Sequence, residues 1–371
     1  MTNMKWNLPP ADGLRSHSSG RRETCSAFAS VPLLLMVLGI SASAKVIVVS
    51  TTIQSAVDAA QPGDIVQVPQ GTYRENVVVT KDNITIEASP GAVLDGMGLA
   101  GNTGIKVAPP NSSGRINGFV LSGMTIQNFS LSGVLLRSTD NFRITGGTFV
   151  GNDEYGIFPI QSSEGLIDHN YVSGSDDTGI YVGQSHDILV KKNRAIDCTV
   201  GIEVELSSHI DVRNNTAKGN TIGLVVQVLP GLSIAVTSDI NITGNKLIGN
   251  NRANPVTDPG ELLSRLPSGI GFLNVGGDRV IVEGNTASEN KSAGIVVIQL
   301  PPQLASLDPR LDPFPDDNRI RDNLVMGNGS DPDSKLTPFP GADLLWDLSG
   351  GGNCWTGNVF KSAFPSLPSC P

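Results

Sequence analysis

The 371-residue sequence is short of several things at once: aromatic side chains make up 5%, and there are only four histidines and four cysteines. Basic residues are also outnumbered, with 26 Lys and Arg against 35 Asp and Glu. Residues 1–44 carry four basic and two acidic groups, so the remainder holds a net charge of −11 against −9 for the whole chain. A surface that acidic argues against nucleic acid and anionic membranes as partners. Long apolar runs are missing too. The one stretch of note, Ala27 to Ile40, is too short for a comfortable membrane span.

That run instead reads as part of an export signal. Arg21 and Arg22 precede it, and Ala42-Ser43-Ala44 supplies a small-residue cleavage site before Lys45. The expectation is a signal peptide over 1–44 and an exported protein, in the periplasm, at the cell surface or secreted, with no membrane association after cleavage. The paired arginines leave twin-arginine export open, and an uncleaved anchor is the competing reading.

What the sequence has in abundance is glycine, 42 residues, together with Asn, Ser, Thr, Val and Ile in short segments. This suits many short strands joined by tight turns. A glycine followed by an aliphatic strand recurs at Gly133, Gly156, Gly179, Gly201, Gly223, Gly269 and Gly294, mostly 22 or 23 residues apart. The longer gap after Gly223 is one coil with insertions, or two coils. Such a period without helix signals, and without a leucine-repeat pattern, predicts a stacked solenoid of β-coils.

Three coils align residue by residue, beginning at Ile157, Ile180 and Ile202. Five positions on lie Ser162, Ser185 and Ser207; thirteen on lie Asn170, Asn193 and Asn215; eighteen on lie Ser175, Cys198 and Asn220. Identical polar residues at one register are expected to stack inside the turns and hydrogen-bond along the axis. Cys198 then becomes a small interior residue. Cys354 and Cys370 bracket the tail and are expected to pair in an oxidising compartment.

Alternation in the first strand of each coil places Ile180 and Val182, Ile202 and Val204, Leu224 and Val226, Ile270 and Phe272, and Ile295 and Val297 inside. Phe158, Tyr181, Glu203 and Val225 face out on one ladder, and Ile160, Gly183, Glu205 and Gln227 on the next. "TTIQSAVDAAQPGD" reads as a capping helix, with Ile53, Ala56, Val57 and Ala60 on one face and Thr51 or Thr52 as N-cap.

The segment "TIQSAVDAAQPGDIVQVPQGTYRENVVVTKDNITIEA", followed by "GAVLDG", resembles the N-terminal cap and first coils of pectate-lyase-like proteins. The later coils resemble bacterial right-handed β-helix repeat proteins, and "GNCWTGNVF…FPSLPSC" resembles the C-terminal cap of some of them. The resemblance implies an all-β, right-handed parallel β-helix of three sheets over 45–371, with a cap and first coils at 45–100 and a closing cap at 341–371. It implies less about function, because the family includes lyases, hydrolases, epimerases and proteins without known activity. One branch, the periplasmic copper-maturation accessory protein of nitrous-oxide reductase, shares the N-terminal phrase. "NDEYGI" and "SDDTGIYV" resemble the paired acidic motifs of polygalacturonases. Their register differs, and the Gly-His-Gly and Arg-x-Lys elements are absent, so no role is carried over.

Three insertions point to a binding face: "LPGLSIAVTS" after Val228, "NRANPVTDPGELLSRLPS" before Gly269, and "PPQLASLDPRLDPFPDD" after Leu300. All are expected beside the outer surface of the first sheet, walling a groove. Within it, Asp177 and Glu203 are the candidate acid and base, with Asp176 and Tyr181 beside them. Glu205, Gln227, Gln184 and Phe158 are candidate substrate contacts. No cofactor is required; Asp176, Asp177 and Glu203 form the calcium set if a cation binds. Asp176 and Asp177 also suit plain turn formers. Cations reach this acidic groove only if Arg265, Arg310 or Arg319 lean in. His169, His186 and His209 fall near the second sheet, and no two histidines share a rung with a thiol or methionine, which counts against copper handling. The expectation is a monomer acting on, or binding, a polysaccharide, with a non-enzymatic scaffold that docks a partner protein as the alternative.

Overall fold

A computed structural model describes residues 44–371; the expected signal peptide lies outside these residues except for Ala44. The chain forms three parallel sheets, visited in the order first, second, third in each coil. Every strand pairs in parallel with its counterpart one coil away. Three parallel sheets visited in turn make this a parallel β-helix, right-handed as crossovers between parallel strands of one sheet are. No helix of the described residues is long and apolar enough to cross a membrane.

The interior follows from the repeat. One continuous cluster of fully buried Ile, Val, Leu and Phe side chains runs from Val49 to Trp355. Second-sheet strands such as Ser208–Arg213 alternate buried with half-exposed or exposed positions. The first-sheet glycines form a close-packed column: a Cβ on Gly179 would sit 2.8 Å from the Gly201 carbonyl oxygen, and one on Gly201 2.6 Å from that of Gly223. Only glycine fits there.

The structure corrects one register. Ile222 pairs with Ile270 and Leu224 with Phe272, so Gly271, not Gly269, continues the glycine column. Phe272 and Asn274 therefore point inward, whereas Ile270 joins an outer apolar cluster. Gly269 takes a left-handed turn (φ 86°) that mimics the repeat's glycine two residues early. The direct pairing also shows that the long gap is a single coil.

Polar ladders fix the stacking. The Oδ1 of Asn193 accepts from the Asn170 backbone N–H and side-chain amide at 2.9 and 3.0 Å, and the pattern repeats through Asn215, Asn245, Asn285, Asn323 and Asn358. Ser162, Ser185 and Ser207 are linked in the same way through N–H to Oγ bonds of 3.0 Å. Cys198 is free and fully buried, and its N–H donates to Asn220 Oδ1.

Both ends are closed. Helix α1 (Ile53–Ala59) packs Ile53, Ala56 and Val57 onto the first coil, with Thr52 as its N-cap; Glu75 accepts from the Ile53 and Gln54 N–H groups. At the far end Cys354 and Cys370 form a disulfide, and Trp355 seals the core.

Asn215→Ala leaves the N–H and amide of Asn193, the Val190 carbonyl and one lone pair of Asn245 without their partner. At about 1–3 kcal/mol for each buried group left unpaired, partly relieved by relaxation, it should cost about 3 kcal/mol. The exposed Asn111→Ala should cost under about 0.5 kcal/mol. Urea denaturation of both variants checks this; equal, small effects would contradict the ladder's role.

Candidate functional site on the outer face of the first sheet

The outer face of the first sheet changes character along the axis. From Val225 to Leu345 it is roofed rather than walled. Leu229, Leu232 and Ala235 from the first insertion, Leu266 from the second, and Leu304, Ala305 and Leu311 from the third cover Val225, Leu273, Val296 and Leu345. A fourth segment, bearing Leu336 and Phe339, joins them. Apolar residues on both faces explain why these strands are buried throughout. The expected open groove is thus closed at these rungs.

Where the roof stops, the sequence-derived residues gather. Tyr181 and Glu203 are paired neighbours on one ladder, Gly183 and Glu205 on the next, and Glu205 pairs with Gln227 beyond. The Thr178 hydroxyl lies 2.9 Å from Asp177 Oδ1 and 2.7 Å from Glu203 Oε2. A hydroxyl has one proton, so it donates to one carboxyl and must accept from the other. The arrangement therefore requires one of the two acids to be protonated. Gln227 Nε2 donates to Glu203 Oε1 at 2.6 Å and to Glu205 Oε2 at 3.4 Å.

Burial and mutual repulsion agree with that proton count. Glu203 is 3% and Glu205 4% exposed. Desolvation, followed by the charges of Glu205 and Asp177, raises the Glu203 pKa well above the usual carboxylate range. Burial also lifts Asp177 to about 6 and Glu205 to about 7, opposed by hydrogen bonds from Thr178 and Tyr155 to the first and from Tyr181 to the second. Glu154, half-buried near Asp177, is pushed up to about 7, chiefly by desolvation. A protonated acid beside a carboxylate is the arrangement that acid–base chemistry at neutral pH uses.

Tyr155, Phe158 and Tyr181 pack next to this cluster with ring centroids 4.3, 4.8 and 5.4 Å apart, and Leu135 and Ile160 adjoin them. The access side is formed by the half-buried Asp177, Glu154, Tyr155 and Gln227.

Two sequence-derived residues do not join. Asp176 is exposed and turns to Arg252 of the second insertion at 3.1 Å, away from Asp177 and Glu203. Gln184 is buried, and its carbonyl accepts from Ser233 of the first insertion at 2.6 Å. Among the described residues no group of three or more His, Cys, Asp or Glu side chains is arranged to hold a metal ion, and Asp176 of the trio Asp176, Asp177 and Glu203 pairs with Arg252 instead.

Sequence reasoning missed Thr178, which looked like an ordinary strand residue. It also missed two cations, Lys106 and Arg137, which lie on the same outer ladders several rungs before the carboxyls. Counting the alternation back from Gly133 would have exposed both. Of the arginines expected to lean in, Arg310 is held by Asp308 and the Leu232 carbonyl, and Arg319 belongs to the second sheet.

Residues 103–261 match the family model described as right handed beta helix region. The match and the three stacked sheets agree on a right-handed parallel β-helix fold. No curated protein sequence matches this chain. Solved β-helices superpose over most of its length. The mannuronan C-5 epimerase AlgE4 A-module of Azotobacter vinelandii is 18% identical, with 83% of this chain and 84% of that one covered at a TM-score of 0.62. The periplasmic alginate epimerase AlgG is 16% identical, covering 81% and 76% at 0.57. DFA-IIIase from Arthrobacter chlorophenolicus A6, solved with GF2, is 14% identical, covering 85% and 94% at 0.54. At such identities the likeness establishes the β-helix fold.

The carboxyl pKa values set a sign for pH. Groups raised in the folded state favour folding while protonated, so their stability contribution is intact below about pH 4. It is lost as pH rises through about 6 to 7. Glu205→Gln should therefore gain stability relative to the parent as pH goes from 4.5 to 7.5. Thermal melts of the two proteins across that range test this; a constant difference would contradict it.

Proposed function

We propose that this chain is an exported, carbohydrate-active β-helix that works on a polysaccharide at the first-sheet carboxyl cluster. The observation that carries the reading is the Asp177–Thr178–Glu203 bridge, in which one hydroxyl joins two acids that cannot both be ionised. Glu203, the more deeply buried, holds the proton and serves as general acid. Asp177, at the open side, is the carboxylate that acts as base or nucleophile.

The two carboxyls lie no more than two hydrogen bonds apart, comparable to the ~5 Å spacing of paired acids in retaining glycoside hydrolysis. Proton abstraction beside a uronate carboxylate needs a cation at the reacting sugar. Arg252 is held by Asp176, and Lys106 and Arg137 stand rungs away from the acids, so the geometry favours chemistry at the glycosidic bond. Tyr155, half-buried and packed on the buried Phe158 and Tyr181, offers an apolar surface for a sugar face. The solved β-helices it resembles include two uronan epimerases and DFA-IIIase by name, which supports a glycan as the class of substrate.

A second reading has its own observation. Glu203 and Glu205 are nearly sealed from solvent, which suits a glycan-binding or protein-docking scaffold as well as an enzyme. The two separate in a polysaccharide panel assayed for new reducing ends and for unsaturated products. The enzyme reading expects product on at least one polymer, reduced about 10²–10⁴-fold in Asp177→Asn and Glu203→Gln. Absence of product throughout, or activity indifferent to both variants, would overturn it.

A further inference from the structure

The second sheet carries an open groove of about 880 Å³, formed by residues that the first-sheet cluster does not use. Its floor is an outer ladder with one residue per rung: Leu189, Asp211, Asn241, Ile281 and Arg319. Its rim is a column of residues in left-handed conformation, Asp187, His209, Asp239, Arg279 and Asp317, with φ between 49° and 60°. We propose that this groove binds a neutral, linear glycan laid along the solenoid axis, independently of the first-sheet site.

Three features support that ligand class. First, the lining repeats once per rung over five rungs, at ~4.8 Å per rung. A groove periodic along its length suits a polymer of similar units better than a compact molecule, and the rung is close to the advance of an extended pyranose chain. Second, the floor mixes two chemistries in the way a sugar does. Leu189 and Ile281 present aliphatic surface to C–H faces. Asp211 and Asn241 are fixed by an amide-to-carboxylate bond of 2.8 Å, which leaves the other Asp211 oxygen and the Asn241 carbonyl to accept from hydroxyls. Arg319 adds donors at one end.

Third, the charge excludes the obvious alternatives. Four aspartates, 187, 211, 239 and 317, face two arginines, and Arg279 is committed to Asp239 through two bonds of 2.8 Å. An anionic polymer meets net repulsion there. An extended peptide finds no strand edge to add to, because the strands under the groove are paired to the coils on both sides.

Native gels cast with soluble starch, galactomannan or hydroxyethylcellulose, with alginate as the anionic comparator, test the proposal on the purified full chain. At least one neutral polymer should retard the protein. Asn111→Ala, exposed and away from both sites, should be retarded equally, while Asp211→Ala/Asn241→Ala should bind about tenfold more weakly, the loss of roughly 1.4 kcal/mol of contacts. Ile281→Gln, on the outer face and away from the core, should weaken retardation as well. Retardation by alginate alone, by no polymer, or by a neutral polymer with the second-sheet variants unaffected would overturn the proposal. Binding lost in Glu203→Gln instead would place it at the first sheet and overturn it too.

Discussion

The amide-to-amide stacking of Asn170, Asn193, Asn215 and their successors is the constraint on which the rest of this molecule depends. The apolar interior favours compaction but is indifferent to slip, since an Ile on one rung packs almost equally well over the next. A buried asparagine is not indifferent. Its carbonyl must meet the amide and N–H of the coil before it, or polar groups are left unpaired in a dry interior. Once that register holds, outward residues line up at rung spacing. Surface chemistry in this fold is therefore a matter of columns, and both candidate sites are columns read sideways.

The first-sheet cluster shows what a column gains from being roofed. A carboxylate on an open sheet face is solvated and titrates like any other. Here the insertions pack an apolar layer over Val225 and Leu273, and the aromatic trio closes the opposite flank. Glu203 and Glu205, two positions apart on one strand, are caught between. Desolvation and mutual repulsion then make a shared proton the low-energy state. The same insertions that look like a binding wall in sequence thus act first on the acidity of the residues beside them.

The repeat made the fold legible. The Ser and Asn alignments, the interior position of Cys198 and the outward ladders follow from period and alternation, the capping helix from its own apolar face, and the pairing of Cys354 with Cys370 from their place at the two ends of the tail of a chain read as exported. Glu203 and Glu205 lie on the outer ladders that alternation assigns them, with Asp177 beside them. What could not be read depended on three-dimensional folding of non-repeating segments. That the insertions lie down instead of standing up depends on Leu232, Leu266 and Leu304 finding partners across coils. Asp176 left the cluster because Arg252 happens to reach it. Gly269 misled because a turn glycine and a column glycine are the same letter two residues apart.

Carboxyl ¹³C titration of Asp177, Glu203 and Glu205 by NMR is the most direct measurement of the proton-sharing cluster. Asp177 is expected to titrate near 6 and Glu205 near 7, with Glu203 well above the usual carboxylate range, and Thr178→Val should alter the curves of Asp177 and Glu203 together. Three independent titrations near 4, unmoved by Thr178→Val, would contradict the account.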